Sequence, residues 1–82
     1  MTTANAMSIE LVKILEAAQD AYDRSMRYFA YMEDENDPEM KNIYWARCQE
    51  YDGMCAAYKH SYEILTGKHI QDYEIKKELA LA

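Results

Sequence analysis

The side chains with the most chemical potential in this chain are Cys48, Cys55, His60, His69 and a run of acids near the middle. The two cysteines lie seven positions apart. On a helix that is about two turns, roughly 10 Å, whereas a disulfide needs Cα atoms within about 7 Å. They therefore read as separate reduced thiols, the state maintained in a cytoplasm. A nucleophilic cysteine also needs an adjacent base and an open pocket. His60 reaches only the end of its own helix, and both cysteines fall on the apolar face derived below, where a thiol acts as a small hydrophobe.

Metal chemistry is equally poorly served. A carboxylate-bridged site in a helical bundle needs a Glu-x-x-His pair on two helices. The chain offers one reversed copy, His60-Ser61-Tyr62-Glu63, and His69 lies beyond the expected helix stop. There is no Cys-x-x-Cys, and two glycines are too few for a phosphate-binding loop. The expectation is a protein that is not an enzyme, with no cofactor and no metal.

The acidic run is Glu33, Asp34, Glu35, Asp37 and Glu39. It lacks the ligand pattern and central glycine of an EF-hand. Asp37 and Glu39 suit the start of a helix, where negative charge is favourable. Glu33, Asp34 and Glu35 fall at the end of the preceding helix, where it is not, so they are candidates for solubility or for contact with a basic partner. Tyr31 and Trp45 flank this turn and complete the candidate contact site. Most of the eight tyrosines fall on a predicted buried stripe, which favours packing over the stacking of bases.

The elements that would position these groups follow from spacing. Residues 1–7 read as a loose leader. Ser8 is a fitting N-cap, with Met7 and Val12 as a hydrophobic staple. A first helix is expected over 8–34. Leu11, Leu15, Ala18, Tyr22, Ser25, Phe29 and Met32 step by fours and threes, with Ile14, Ala21 and Tyr28 beside them. Asn36 is expected to leave this helix in a left-handed conformation. Asp37-Pro38 is a strong helix start, because aspartate caps free amides and proline at the first position loses nothing. The second helix is expected over 38–66, stopped by Gly67. Its stripe is Tyr44, Cys48, Tyr51, Cys55, Tyr58, Tyr62 and Leu65. The short turn makes the helices antiparallel, with paired position numbers summing to roughly 71. Ala18, Ala21 and Ser25 then face the Cys48 to Cys55 region. Ile70, Tyr73, Ile75, Leu79 and Leu81 predict a short third helix over 70–81, folding back over the open end or reaching to a partner.

The fold class is therefore all-α: a long antiparallel helical hairpin plus a short C-terminal helix in a single 82-residue domain. Ile9, Val12, Met26, Tyr31, Ile43, Trp45 and Met54 lie partly outside the stripes, too many for an isolated hairpin. Pairing of two hairpins into a four-helix bundle is the expected remedy. The formal charge of −6, from 15 acids against 9 bases, argues against direct nucleic-acid binding and against an anionic membrane surface. No basic region followed by an apolar run begins the sequence, and no stretch reaches the roughly 18 apolar residues that cross a bilayer. A cytoplasmic, non-catalytic, homodimeric interaction module is the first expectation. In size and acidity the chain also resembles the short helical products of phages and mobile elements, a likeness of type that rests on no motif. With the acidic turn as the contact, the second expectation is an acidic inhibitor that blocks a basic, nucleic-acid-binding surface of a host protein, such as a defence nuclease, a reading that a phage origin would favour.

Overall fold

The computed structural model describes residues 7–82. The leader expected over 1–7 lies outside the described residues apart from Met7, which packs against the core. Three α-helices form: α1 over Ile9–Asp34, α2 over Pro38–Thr66 and α3 over Ile75–Leu81, the last entered through a 3₁₀ turn at Asp72–Glu74. Among the described residues there is no strand. The hairpin of α1 and α2 sets the dimensions, 58 × 21 × 17 Å.

The helix ends form where local chemistry dictates. The Ser8 hydroxyl accepts a hydrogen bond from Leu11 N at 3.3 Å. Asp37 caps α2 by accepting from Glu39 N at 3.1 Å, with Pro38 in the first turn. Gly67 ends α2 at φ 72°, a left-handed conformation open to glycine without steric penalty. Asn36 does not take up the left-handed conformation expected of it, because no described residue other than glycine has positive φ. Instead α1 ends at Glu35 with an extended backbone. The Glu35 carboxylate accepts from Asp37 N at 3.1 Å, and its carbonyl accepts from Lys41 Nζ at 3.3 Å. The turn's orphan groups are thus satisfied without a left-handed residue.

The seam between the helices is built on small residues. Leu15, Ala18, Ala21 and Ser25 of α1 are buried, as are Cys48, Cys55 and Tyr62 of α2. Ser25 crosses the seam, its hydroxyl donating to Asp52 Oδ1 at 2.6 Å. Cys48 Sγ lies 3.4 Å from the Ser25 hydroxyl oxygen. Since the only serine proton goes to Asp52, the thiol is the donor there.

Two expectations about the stripes need correction. Leu65 is 63% exposed rather than in the seam. A strict seven-residue repeat drifts by about 20° per heptad on a straight helix, so by the third heptad after Tyr44 it has rotated out. In the C-terminal segment, Ile70 and Ile75 are buried, while Tyr73 is 82% exposed and Leu81 is exposed. Ile70 and Gln71 precede the helical part, which starts two residues later than the predicted 70–81. The segment folds back on its own hairpin, since Ile70 and Ile75 join Leu15, Ala18 and Tyr62 in one cluster.

Ala18 is fully buried in the seam, whereas Gly53 in α2 has nothing within 4 Å of where a Cβ would stand. Opposite effects are therefore expected from two substitutions. Ala18→Leu should destabilise the fold by about 1–3 kcal/mol through overpacking. Gly53→Ala should stabilise it by up to about 1 kcal/mol through helix propensity. Thermal melts followed by circular dichroism check both, and an unchanged Ala18→Leu melt would refute the tight seam.

Candidate functional site

Four groups of polar or exposed side chains stand out, each placed by a different part of the hairpin. The first ties down the C-terminal segment. Lys59 Nζ pairs with Asp72 Oδ1 at 2.6 Å, and the Cys55 thiol donates to the same oxygen at 3.6 Å. One turn further along α2, Glu63 Oε2 accepts from Ile70 N at 2.9 Å and from His69 Nδ1 at 2.6 Å. Burial, with Asp72 adding to it, pushes the Cys55 thiol up to about 11. It is therefore protonated at neutral pH, a poor state for nucleophilic attack. The Ile70 amide holds the Glu63 carboxyl below its usual range. Among the described residues, no group of three or more His, Cys, Asp and Glu is placed to hold a metal ion.

The second group is a ladder of tyrosines on one side of the hairpin. Tyr28 stacks on Tyr51 at 5.8 Å with planes 6° apart. It meets Tyr31 edge-on at 5.9 Å, and Tyr31 in turn packs on Tyr44 at 5.6 Å. Arg24 caps the ladder, its guanidinium 5.7 Å from the Tyr51 ring, and is anchored by Asp20 at 3.0 Å. Arg47 pairs with Glu50 at 2.9 Å.

The third is a groove on the other side, lined by Ser25, Met26, Phe29, Trp45, Cys48 and Asp52. It is open to solvent, measures about 220 Å³, and is mostly apolar. Tyr44 and Trp45 are successive residues, so they point about 100° apart on α2. That rotation sends Tyr44 into the ladder and Trp45 into the groove.

The fourth is the acidic turn. Glu33 and Asp34 are exposed and take part in no ion pair among the described residues. Glu35 is half-buried and engaged in closing the turn. The five residues expected as one contact site are thus divided. Tyr31 belongs to the tyrosine ladder, Trp45 to the groove, and Glu35 to the turn itself, which leaves only Glu33 and Asp34 without a structural task.

Sequence reasoning missed Asp52, which the groove shares with Trp45. Its signal was spacing: it follows Trp45 by seven and Cys48 by four, which puts all three on adjoining parts of one helix face. It also missed an exposed row on the outer flank of α2. Ile43, Met54 and Leu65, all exposed, recur every eleven residues. Comparison with protein-family models, curated proteins and solved structures finds no match to this chain.

The tie between Glu63 and Ile70 has a definite pH dependence. A carboxyl held low in the folded state contributes stability above its unfolded value and loses it as pH falls through the folded one. Acidification through and below the usual glutamate value, about 4.3, should loosen residues 69–74. Followed by NMR, the Ile70 amide should titrate with a midpoint below that value, and Glu63→Gln should remove the transition. A midpoint at or above it would refute the tie.

Proposed function

We propose that this protein is a non-catalytic helical interaction module that pairs with a second copy of itself in the cytoplasm. The observation that carries the reading is the row of Ile43, Met54 and Leu65 on the outer flank of α2. Eleven residues are close to three helical turns, so the row runs nearly straight for about 33 Å. It is also symmetric, with Met54 eleven positions from each end. An antiparallel two-fold pairing about Met54 brings Ile43 of each copy against Leu65 of the other, which is the self-complementarity an isologous interface needs. Two hairpins joined in this way make a four-helix bundle. A further support is the thinness of the core: half the chain is hydrophobic, yet few large apolar side chains are fully buried. The two free, buried cysteines suit a reducing compartment. No helix among the described residues is long and apolar enough to cross a membrane.

Met54→Glu places a charge at the centre of this pairing. It should weaken self-association by about 3 kcal/mol, roughly a hundredfold. Sedimentation equilibrium should show the wild type as a dimer and the variant as a folded monomer. A wild type that stays monomeric at high micromolar concentration would overturn the reading.

A second reading is favoured by Glu33 and Asp34 alone. Two exposed carboxylates without cations, at the helix end where negative charge is unfavourable, suit an acidic inhibitor that occupies a basic, nucleic-acid-binding surface of a host protein such as a defence nuclease. On this reading Glu33→Gln with Asp34→Asn abolishes salt-sensitive binding to that surface. It also raises the chain's own stability, by about 0.3–1 kcal/mol for each charge removed. A lower melting temperature would show that the two carboxylates serve the fold instead.

A further inference from the structure

We propose that the groove between α1 and α2 receives an arginine side chain presented by a partner protein. The site lies apart from the Ile43–Met54–Leu65 row, on a different flank of α2, so it is independent of self-association.

The groove combines three features. Its walls, Met26 and Phe29 on α1 and Trp45 on α2, are apolar and aromatic. Ser25 and Cys48, both buried in the seam, also line the groove. Asp52 lies at one side, and its only hydrogen-bond partner among the described residues is the Ser25 hydroxyl, at 2.6 Å. An ionised carboxylate has about four acceptor positions, so most of its capacity is unused. Asp20, Glu50 and Asp72 each pair with an arginine or lysine, whereas Asp52 pairs with none among the described residues.

These features select the occupant. At about 220 Å³ the groove suits one long side chain, since pockets for drug-sized ligands run from about 300 Å³ upward. A purely apolar side chain would cover the Asp52 carboxylate without pairing it, which is unfavourable. An anion would meet that carboxylate directly. A long side chain with an apolar stem and a cationic head satisfies both parts: the stem lies along Met26 and Phe29, and the head reaches Asp52. Trp45 is 44% exposed, and indole is the aromatic ring that attracts cations most strongly. Guanidinium is favoured over ammonium because it stacks flat on an indole while its fork of N–H donors engages a carboxylate.

The surrounding charge favours the same occupant. Glu33 follows Phe29 by four residues and Met26 by seven, so it stands on the same flank of α1, one turn beyond the groove. Arg24 and Arg47, the two arginines seated near the aromatic ladder, are held by Asp20 and Glu50. The net charge of −6 steers basic segments toward the protein as a whole.

Trp45 is the only tryptophan, so its fluorescence reports on the groove without a label. The full chain is titrated with four blocked tripeptides, Gly-X-Gly, in which X is arginine, lysine, citrulline or norleucine, and with free arginine. The arginine peptide should change Trp45 emission in a saturable way at concentrations up to about 10 mM, the range of a single-side-chain contact. Citrulline keeps the shape and loses the charge, and should bind about tenfold more weakly. Asp52→Asn, which still accepts from Ser25, should weaken the arginine peptide by a similar factor while the chain keeps its helicity. Glu33→Gln should weaken it about twofold, with the effect lost in high salt. The proposal is overturned if citrulline or norleucine matches arginine, if lysine binds more tightly, if free arginine binds as well as the blocked peptide, or if no peptide changes the emission. The arms comparing peptides use the wild-type chain, so they stand even if Asp52→Asn fails to fold. Repeating them on Met54→Glu separates this site from dimer formation, because peptide binding should persist in the monomer.

Discussion

The close approach of α1 and α2 at Ala18, Ala21 and Ser25 is the constraint on which the rest of the molecule depends. With no bulk at these positions, the opposing face of α2 can place Cys48 and Cys55 directly in the seam. The one buried ring, Tyr62, packs with Leu15, Ile70 and Ile75, and along the small-residue stretch from Ala18 to Ser25 no aromatic ring is buried. Instead Tyr28, Tyr31, Tyr44 and Tyr51 gather on one flank while Phe29 and Trp45 stand on the other. The surface features are thus direct products of how little the interior contains. Ser25 is the one polar group in the buried set, and its bond to Asp52 satisfies its hydroxyl while fixing the relative depth of the two helices.

The C-terminal segment closes the open end by a mixed strategy. Ile70 and Ile75 supply the apolar contact, and Lys59–Asp72 and Glu63–Ile70 supply direction. Polar ties of this kind, partly open to water, add little to stability individually. Their value is positional: each engages a separate turn of α2, so the segment cannot slide along the hairpin without breaking both. Cys55 sits where the seam meets this segment, and its high thiol pKa reflects burial at that junction.

Much of this architecture was legible from spacing alone. The fours-and-threes stripes, with the Ile14–Ala21–Tyr28 row beside the first, contain every buried residue of α1 and α2, because a helix must bury one face. Asp37-Pro38 marked the start of α2, since the chemistry of that dipeptide is local. The failures share a cause. The exit at Asn36, closed instead by Glu35 with Asp37 and Lys41, the exposure of Tyr73 and Leu81, and the separation of Tyr31 from Trp45 all turn on the direction in which a group points, which residue type and proximity in sequence do not fix. A list of residues near a turn does not say which side of the hairpin each one faces. That is decided by rotation about the helix axis, and Tyr44 and Trp45 show that one step along the chain can carry a side chain from one surface to another.

The eleven-residue row and the seven-residue stripe of α2 have one residue in common, Leu65. The stripe slips backward around a straight helix by about 20° per repeat, and the row slips forward by about the same amount. They start on separate faces at Ile43 and Tyr44 and converge on a single position after six turns. α2 ends one residue later, at Thr66, and Gly67 turns the chain away. By Leu65 the rotation has carried the stripe onto the outer flank, so the inward face of α2 closes at Tyr62, one turn before the helix itself ends.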